Sequence, residues 1–277
     1  MLEPLPLIGY SPFILSKTSY IIMNKLYKGV LKMENRNFRL DTEWNMIHYP
    51  HRPNGFGILI LGDERHFVDE KSSFWTQNEG KHRLIENFKH AGYTIFYSNL
   101  YGMNWGSQKA VDLADRLCAH IRRSEILNEK IHVLAEGMGA LVALQLLKRN
   151  ESIRSLVLVN PILSLSKHLE QEKEHKFFYK KLLKELCGSY ELEQEEGLKY
   201  IESLDDDYPQ LTKQFPVKVI HVLSGNRAYK QSTVLKEYYQ KWREDEVPVS
   251  ICYMVPEKKG QIAVMAIQFF NQHEDIL

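Results

Sequence analysis

The chain has 277 residues, 44% of them hydrophobic and 26% charged, which is ordinary globular usage with enough apolar content for a sizeable core. Lys and Arg number 36 against 35 Asp and Glu, a net charge of +1 that favours neither nucleic acid nor an acidic membrane as the main partner. Cys118, Cys187 and Cys252 lie far apart with no CxxC, which suits a reducing, cytoplasmic setting and argues against a zinc site or a disulfide framework.

Residues 1–36 form an apolar N-terminal arm. It has no basic leader or small-residue cleavage site, and Lys17 interrupts its apolar run, so no integral membrane segment is expected. Within it, Tyr20–Leu31 has amphipathic helical spacing and is expected to pack on the domain, the alternative being a surface anchor.

Asn37–His48 reads as extended, and the turn cluster Pro50–Gly55 follows. Phe56–Leu61 is a short apolar run suited to a strand buried on both faces. A helix over Leu84–His90 ends at Gly92, Tyr93–Tyr97 is a strand, and Val111–Ile126 is an amphipathic helix. Ile131–Ala135 is a strand, Met138–Leu147 a helix of small and apolar residues, and Leu156–Val159 a strand.

Residues 164–215 break this rhythm with charged, helix-like sequence, including acidic stretches at Glu191–Glu196 and Asp205–Asp207. The alternation resumes with strand Val217–Leu223, helix Val234–Trp242, strand Val249–Val255 and helix Ile262–Phe270. The pattern predicts an α/β fold: a mostly parallel central sheet with helices on both faces. Its core spans 37–163 and 216–277, and 164–215 is a helical cap insertion over the carboxyl ends of the strands, where open α/β sheets bind ligands. A Rossmann-type fold would need G-x-G-x-x-G after the first strand, and none is present.

Ile131–Leu144 (IHVLAEGMGALVAL) is a strand, a tight small-residue turn and a helix. It resembles the nucleophile elbow G-x-S-x-G of the α/β-hydrolase superfamily. Ala135 takes the first glycine, Gly137 the serine and Gly139 the last glycine. The nucleophile of such an elbow sits in a strained turn with positive φ, which glycine adopts without steric cost. Leu59–Gly62, Leu100–Gly106 and Pro216–Gly225 resemble the strand before the oxyanion loop, the loop after the next strand and the strand leading to the acid.

The resemblance implies where a Ser-His-Asp triad would lie, and three positions lack it. Gly137 stands at the nucleophile, Ala228 at the acid and Lys259, in the loop PEKKG, near the histidine. His273 lies beyond the following helix, too far along the chain to substitute. An alternative base is His66, beside Asp63 and Glu64 in the loop after the first parallel strand; Ser98, Ser107 and Ser164 lie near strand ends. His132 and His221 fall within strands and read as core histidines. No HExxH or other ligand spacing suggests a metal, and no cofactor is expected.

The resemblance also implies an oxyanion-type pocket from the amides of Met138 and of Gly62 or Asp63, able to hold a small acyl or carbonyl ligand without reacting. The alternative is a collapsed cleft filled by Met103, Trp105 and Met138. The expected function is a hydrolase-like pseudoenzyme that binds such a ligand or a protein partner. Two alternatives stand beside it: an esterase, thioesterase or lipase-like enzyme using unconventional residues, and a structural subunit docking through the arm.

Overall fold

The computed structural model describes residues 34–149, 151–203 and 209–274; for 194, 198, 201, 202 and 226–229 only the backbone is described. The N-terminal arm with Tyr20–Leu31, and the acidic run Asp205–Asp207, lie outside the described residues.

A single eight-stranded sheet organises the chain, in the order β1-β2-β4-β3-β5-β6-β7-β8. β1 (Asn35–Leu40) and β2 (Glu43–His48) form an antiparallel hairpin, and β2 pairs antiparallel with β4 (Thr94–Ser98). β3 (Gly57–Leu61), β4, β5 (Ile131–Glu136), β6 (Ile153–Val159), β7 (Val217–Val222) and β8 (Val249–Met254) run parallel. Every residue of β3 and β4 is buried, as expected where helices cover both faces.

The helices are α1 (Phe74–Gln77), α2 (Glu79–His90), α3 (Gln108–Ser124), α4 (Gly139–Leu147), α5 (Leu165–Glu172), α6 (Lys176–Tyr190), α7 (Gln194–Ser203), α8 (Gly225–Glu244) and α9 (Ile262–Asn271). On one sheet face Leu59, Leu61, Val133 and Ala135 pack against α3, α4 and α8. On the other, Ile58, Ile60 and Leu134 pack against α2 and α9. The third apolar cluster joins Trp105, Met138 and Leu141 to Leu165, Leu169, Leu182 and Leu186 of α5 and α6. Among the described residues no helix is long and apolar enough to cross a membrane.

The sequence places most elements correctly and misjudges several ends. α2 begins at Glu79, five residues before the expected Leu84, because Asn78 caps it: its side chain accepts from the Lys81 amide. Its first turn, Glu79–His82, carries no apolar side chain. α3 stops at Ser124, and Ile126 beyond it is 99% exposed, so that isoleucine is no part of the amphipathic face. α8 begins at Gly225 rather than at Val234. Ala228, read as standing at the acid position, lies in the first turns of this helix, and its side chain is outside the described residues.

Candidate functional site

β5 ends at Glu136 and α4 begins at Gly139, so only Gly137 and Met138 make the turn. Gly137 has φ +51°, in the left-handed region where glycine is favoured. Its N–H donates to the Val159 carbonyl at 3.1 Å, and its own carbonyl accepts from the Ile162 amide at 2.9 Å. Both bonds tie the turn to β6 and the segment after it. A Cβ on Gly139 would stand 2.4 Å from the Leu61 carbonyl oxygen, so α4 packs against β3 at a distance only glycine permits.

The place of a side chain at 137 is already taken. A Cβ built there would lie 2.1 Å from both Cγ and Oδ1 of Asp63 and 2.5 Å from its Oδ2. Asp63 Oδ1 accepts the Met138 N–H at 2.9 Å. The Met138 amide, expected to serve an external ligand, thus serves a carboxylate of the same chain, and Asp63 enters the pocket as an occupant through its side chain. Burial raises the Asp63 carboxyl above the usual carboxylate range; the Met138 amide opposes that shift, and Glu136 and Glu64 add to it by charge.

Gly62 holds the loop in place from below. A Cβ there would meet the His66 ring at 2.4 Å. His66 does not face a cleft. Trp75 Nε1 donates to its Nδ1 at 2.7 Å, which puts the proton on Nε2, and Nε2 donates to the Ser98 carbonyl at 2.5 Å. Burial holds its pKa down to about 4. With both nitrogens engaged inside the protein, His66 links the loop to Trp75 and to β4.

The other candidates are also placed elsewhere. Ser164 caps α5, accepting from the Lys167 amide, and the Ser98 hydroxyl accepts from the Leu100 amide. Ser107, also buried, precedes α3. Lys259 is exposed on a 3₁₀ turn, Pro256–Gln261, after β8. His221 is buried in β7. His132 is buried in β5 between the Ser155 hydroxyl at 2.8 Å and Glu274 at 3.2 Å. These contacts and His273 lie at the amino ends of the strands, away from the elbow at their carboxyl ends.

Trp105 closes the region from above. Its backbone N–H points at Met138 Sδ at 3.2 Å, its ring stacks on His168 with centroids 5.7 Å apart, and its Nε1 donates to Glu185 at 3.2 Å. Trp105 and Met138 are both buried, while Met103 packs against them partly exposed. Two cavities border Trp105: one of about 60 Å³ beside Glu64, His168, Phe178 and Leu182, and one of about 170 Å³ beside Leu141, Leu163, Tyr190 and Tyr200. Sequence reasoning missed one further pair: Lys81 donates to both carboxylate oxygens of Glu136, the residue before Gly137, and lies over the Trp75 ring. An acid inside the elbow, in the sequence AEGMG, was the available signal. Among the described residues no group of three or more His, Cys, Asp or Glu side chains could hold a metal ion.

No protein-family model matches the sequence. No curated protein sequence matches it either. Solved structures do. Est1E from Butyrivibrio proteoclasticus superposes with TM-score 0.59 at 10% identity, over 87% of this chain and 98% of that one. An arylesterase superposes with TM-score 0.58 at 13% identity, over 95% and 94%. The acylaminoacyl peptidase of Pyrococcus horikoshii gives 0.60 at 14% identity, over 92% of this chain and 44% of the peptidase. At these identities the likeness concerns the arrangement of the backbone, and with the sheet order and the elbow it leads to one conclusion: the chain has the α/β-hydrolase fold.

Proposed function

We propose that this protein is a non-catalytic binding protein built on the α/β-hydrolase fold. The observation that carries the proposal is Asp63, whose carboxylate fills the space of a nucleophile side chain and takes the Met138 amide. Catalysis of acyl transfer needs that amide free to meet a developing oxyanion. It also needs a nucleophile with a base in reach, and Gly137 and Lys259 supply neither. With the Met138 donor occupied from within, a small acyl or carbonyl ligand has little to bind there. The segment 164–215, read as a cap over the elbow, is then the favoured element for meeting a partner.

The test is labelling by a fluorophosphonate probe together with turnover of short p-nitrophenyl esters. The expected result is neither, for the native protein and for Asp63→Ala alike. Labelling or turnover above the uncatalysed rate overturns the proposal, and the modified residue identifies the group responsible.

The occupancy of the nucleophile's space by an aspartate favours one second reading, in which the Asp63 carboxylate attacks an ester's acyl carbon, the alcohol leaves with a proton from water, and a second step with water hydrolyses the mixed anhydride to the acid and the free carboxylate. Turnover that disappears in Asp63→Asn selects this reading over the first.

A further inference from the structure

We propose that helix α6 is a docking face for an anionic lipid surface. Lys176, Lys180 and Lys184 lie at i, i+4 and i+8, in one row along the helix, with Phe177 and Lys181 in the row beside it and Phe178 next. All six are exposed, Phe177 at 75% and Phe178 at 55%. The two rings lie edge to face with centroids 5.6 Å apart; Phe178 also meets the His175 ring and borders the smaller cavity beside Trp105. Leu182, Leu183 and Leu186 bury the opposite side of the helix and fix which face looks outward.

Most of this face is left outside the core. Exposed phenylalanines leave apolar area in water. Lys176 sits in the first turn of the helix, where the macrodipole disfavours a cation, and that turn has neither an acid nor a side-chain cap. Lys176, Lys180 and Lys184 make no ion pair among the described residues, whereas the nearby acids Glu174 and Glu185 are paired with Lys230 and Lys181. The face therefore presents net positive charge, although the whole chain is nearly neutral.

A convex helix surface bearing aromatic rings among lysines suits a plane better than a peptide. Rings enter the boundary between headgroups and acyl chains while the ammonium groups reach lipid phosphates. Charge complementarity thus selects an anionic bilayer as the occupant. The proposal stands whether or not the elbow turns over a substrate.

The experiment is co-sedimentation of the full chain with phosphatidylcholine vesicles, with and without phosphatidylglycerol, at low and high salt. Binding is expected only with the anionic lipid, and to weaken at high salt. Each lysine lost should reduce partitioning about fivefold, so Lys176→Glu/Lys180→Glu/Lys184→Glu should reduce it at least on the order of a hundredfold. Phe177→Ser/Phe178→Ser should reduce it about tenfold and keep the salt dependence. The segment before residue 34 is common to parent and variants, so a difference between them reports on the helix. Thermal unfolding of each variant, expected to match the parent at these exposed positions, separates a lost surface from a lost fold. Equal binding to both vesicle types, no binding, or folded variants that bind like the parent overturns the proposal. Retention on polyglutamate without vesicle binding assigns the face to an acidic protein and overturns it as well.

Discussion

Placing a serine at position 137 should damage this protein rather than activate it. In Gly137→Ser the new Cβ would stand 2.1 Å from the Asp63 carboxyl carbon, a separation that real contacts never reach, so the carboxylate must swing away. It then loses the Met138 N–H at 2.9 Å, a bond to a charged acceptor worth about 1.5–3 kcal/mol. A side chain at φ +51° adds ~1 kcal/mol of backbone strain. Rehydration of the displaced carboxylate, whose pKa is raised by burial, offsets part of this. A net destabilisation of about 2–4 kcal/mol follows, or roughly 5–15 °C in Tm for a domain of this size. Asp63→Gly removes the obstacle, so in Gly137→Ser/Asp63→Gly the serine fits and the two changes couple by at least ~1 kcal/mol. Urea unfolding of the parent, both single variants and the double variant closes the cycle. Additivity within about 0.5 kcal/mol, or a Gly137→Ser protein as stable as the parent, would refute the mutual exclusion of the two side chains. Ester turnover is expected from none of the four, because the proposed function supplies no base to activate a serine at 137.

Gly139→Ala should destabilise by at least ~3 kcal/mol in thermal unfolding, since its Cβ meets the Leu61 backbone at 2.4 Å and neither α4 nor β3 can yield cheaply. Asp63 is an acid whose folded-state pKa is raised, so the folded state binds its proton more tightly than the unfolded chain. Stability therefore falls as pH rises from the ordinary carboxylate pKa through the folded one, and the Tm of Asp63→Asn relative to the parent should become more favourable from pH 4 towards pH 7; the opposite slope would contradict the burial of this carboxylate. His48 and His66 are held neutral, both with pKa down from 6.5 to about 4. The unfolded chain takes up those protons first, so stability is lost as pH falls from about 6.5 to about 4, by up to ~3 kcal/mol for each histidine. Denaturant titrations across that range should show the loss, and His66→Gln should make it shallower.

The sheet with its crossing helices and the glycine-rich turn at 137 were legible in the sequence. Each is written in neighbouring residues: buried parallel strands are continuous apolar runs such as GILIL, and a turn with positive φ next to a close helix crossing requires glycines at 137 and 139. The ends of α2 and α8 were not legible, because polar turns carry no apolar period. What fills the elbow was decided only by tertiary structure. Asp63 and Gly137 are 74 positions apart and meet because β3 and β5 pair side by side with their carboxyl ends together. His66 looked like a base beside two acids, yet Trp75 and Ser98, brought in by α1 and β4, claim both its nitrogens. A side chain's chemistry depends on which groups surround it, and those neighbours come from strand pairing across the sheet, which no local stretch of sequence encodes.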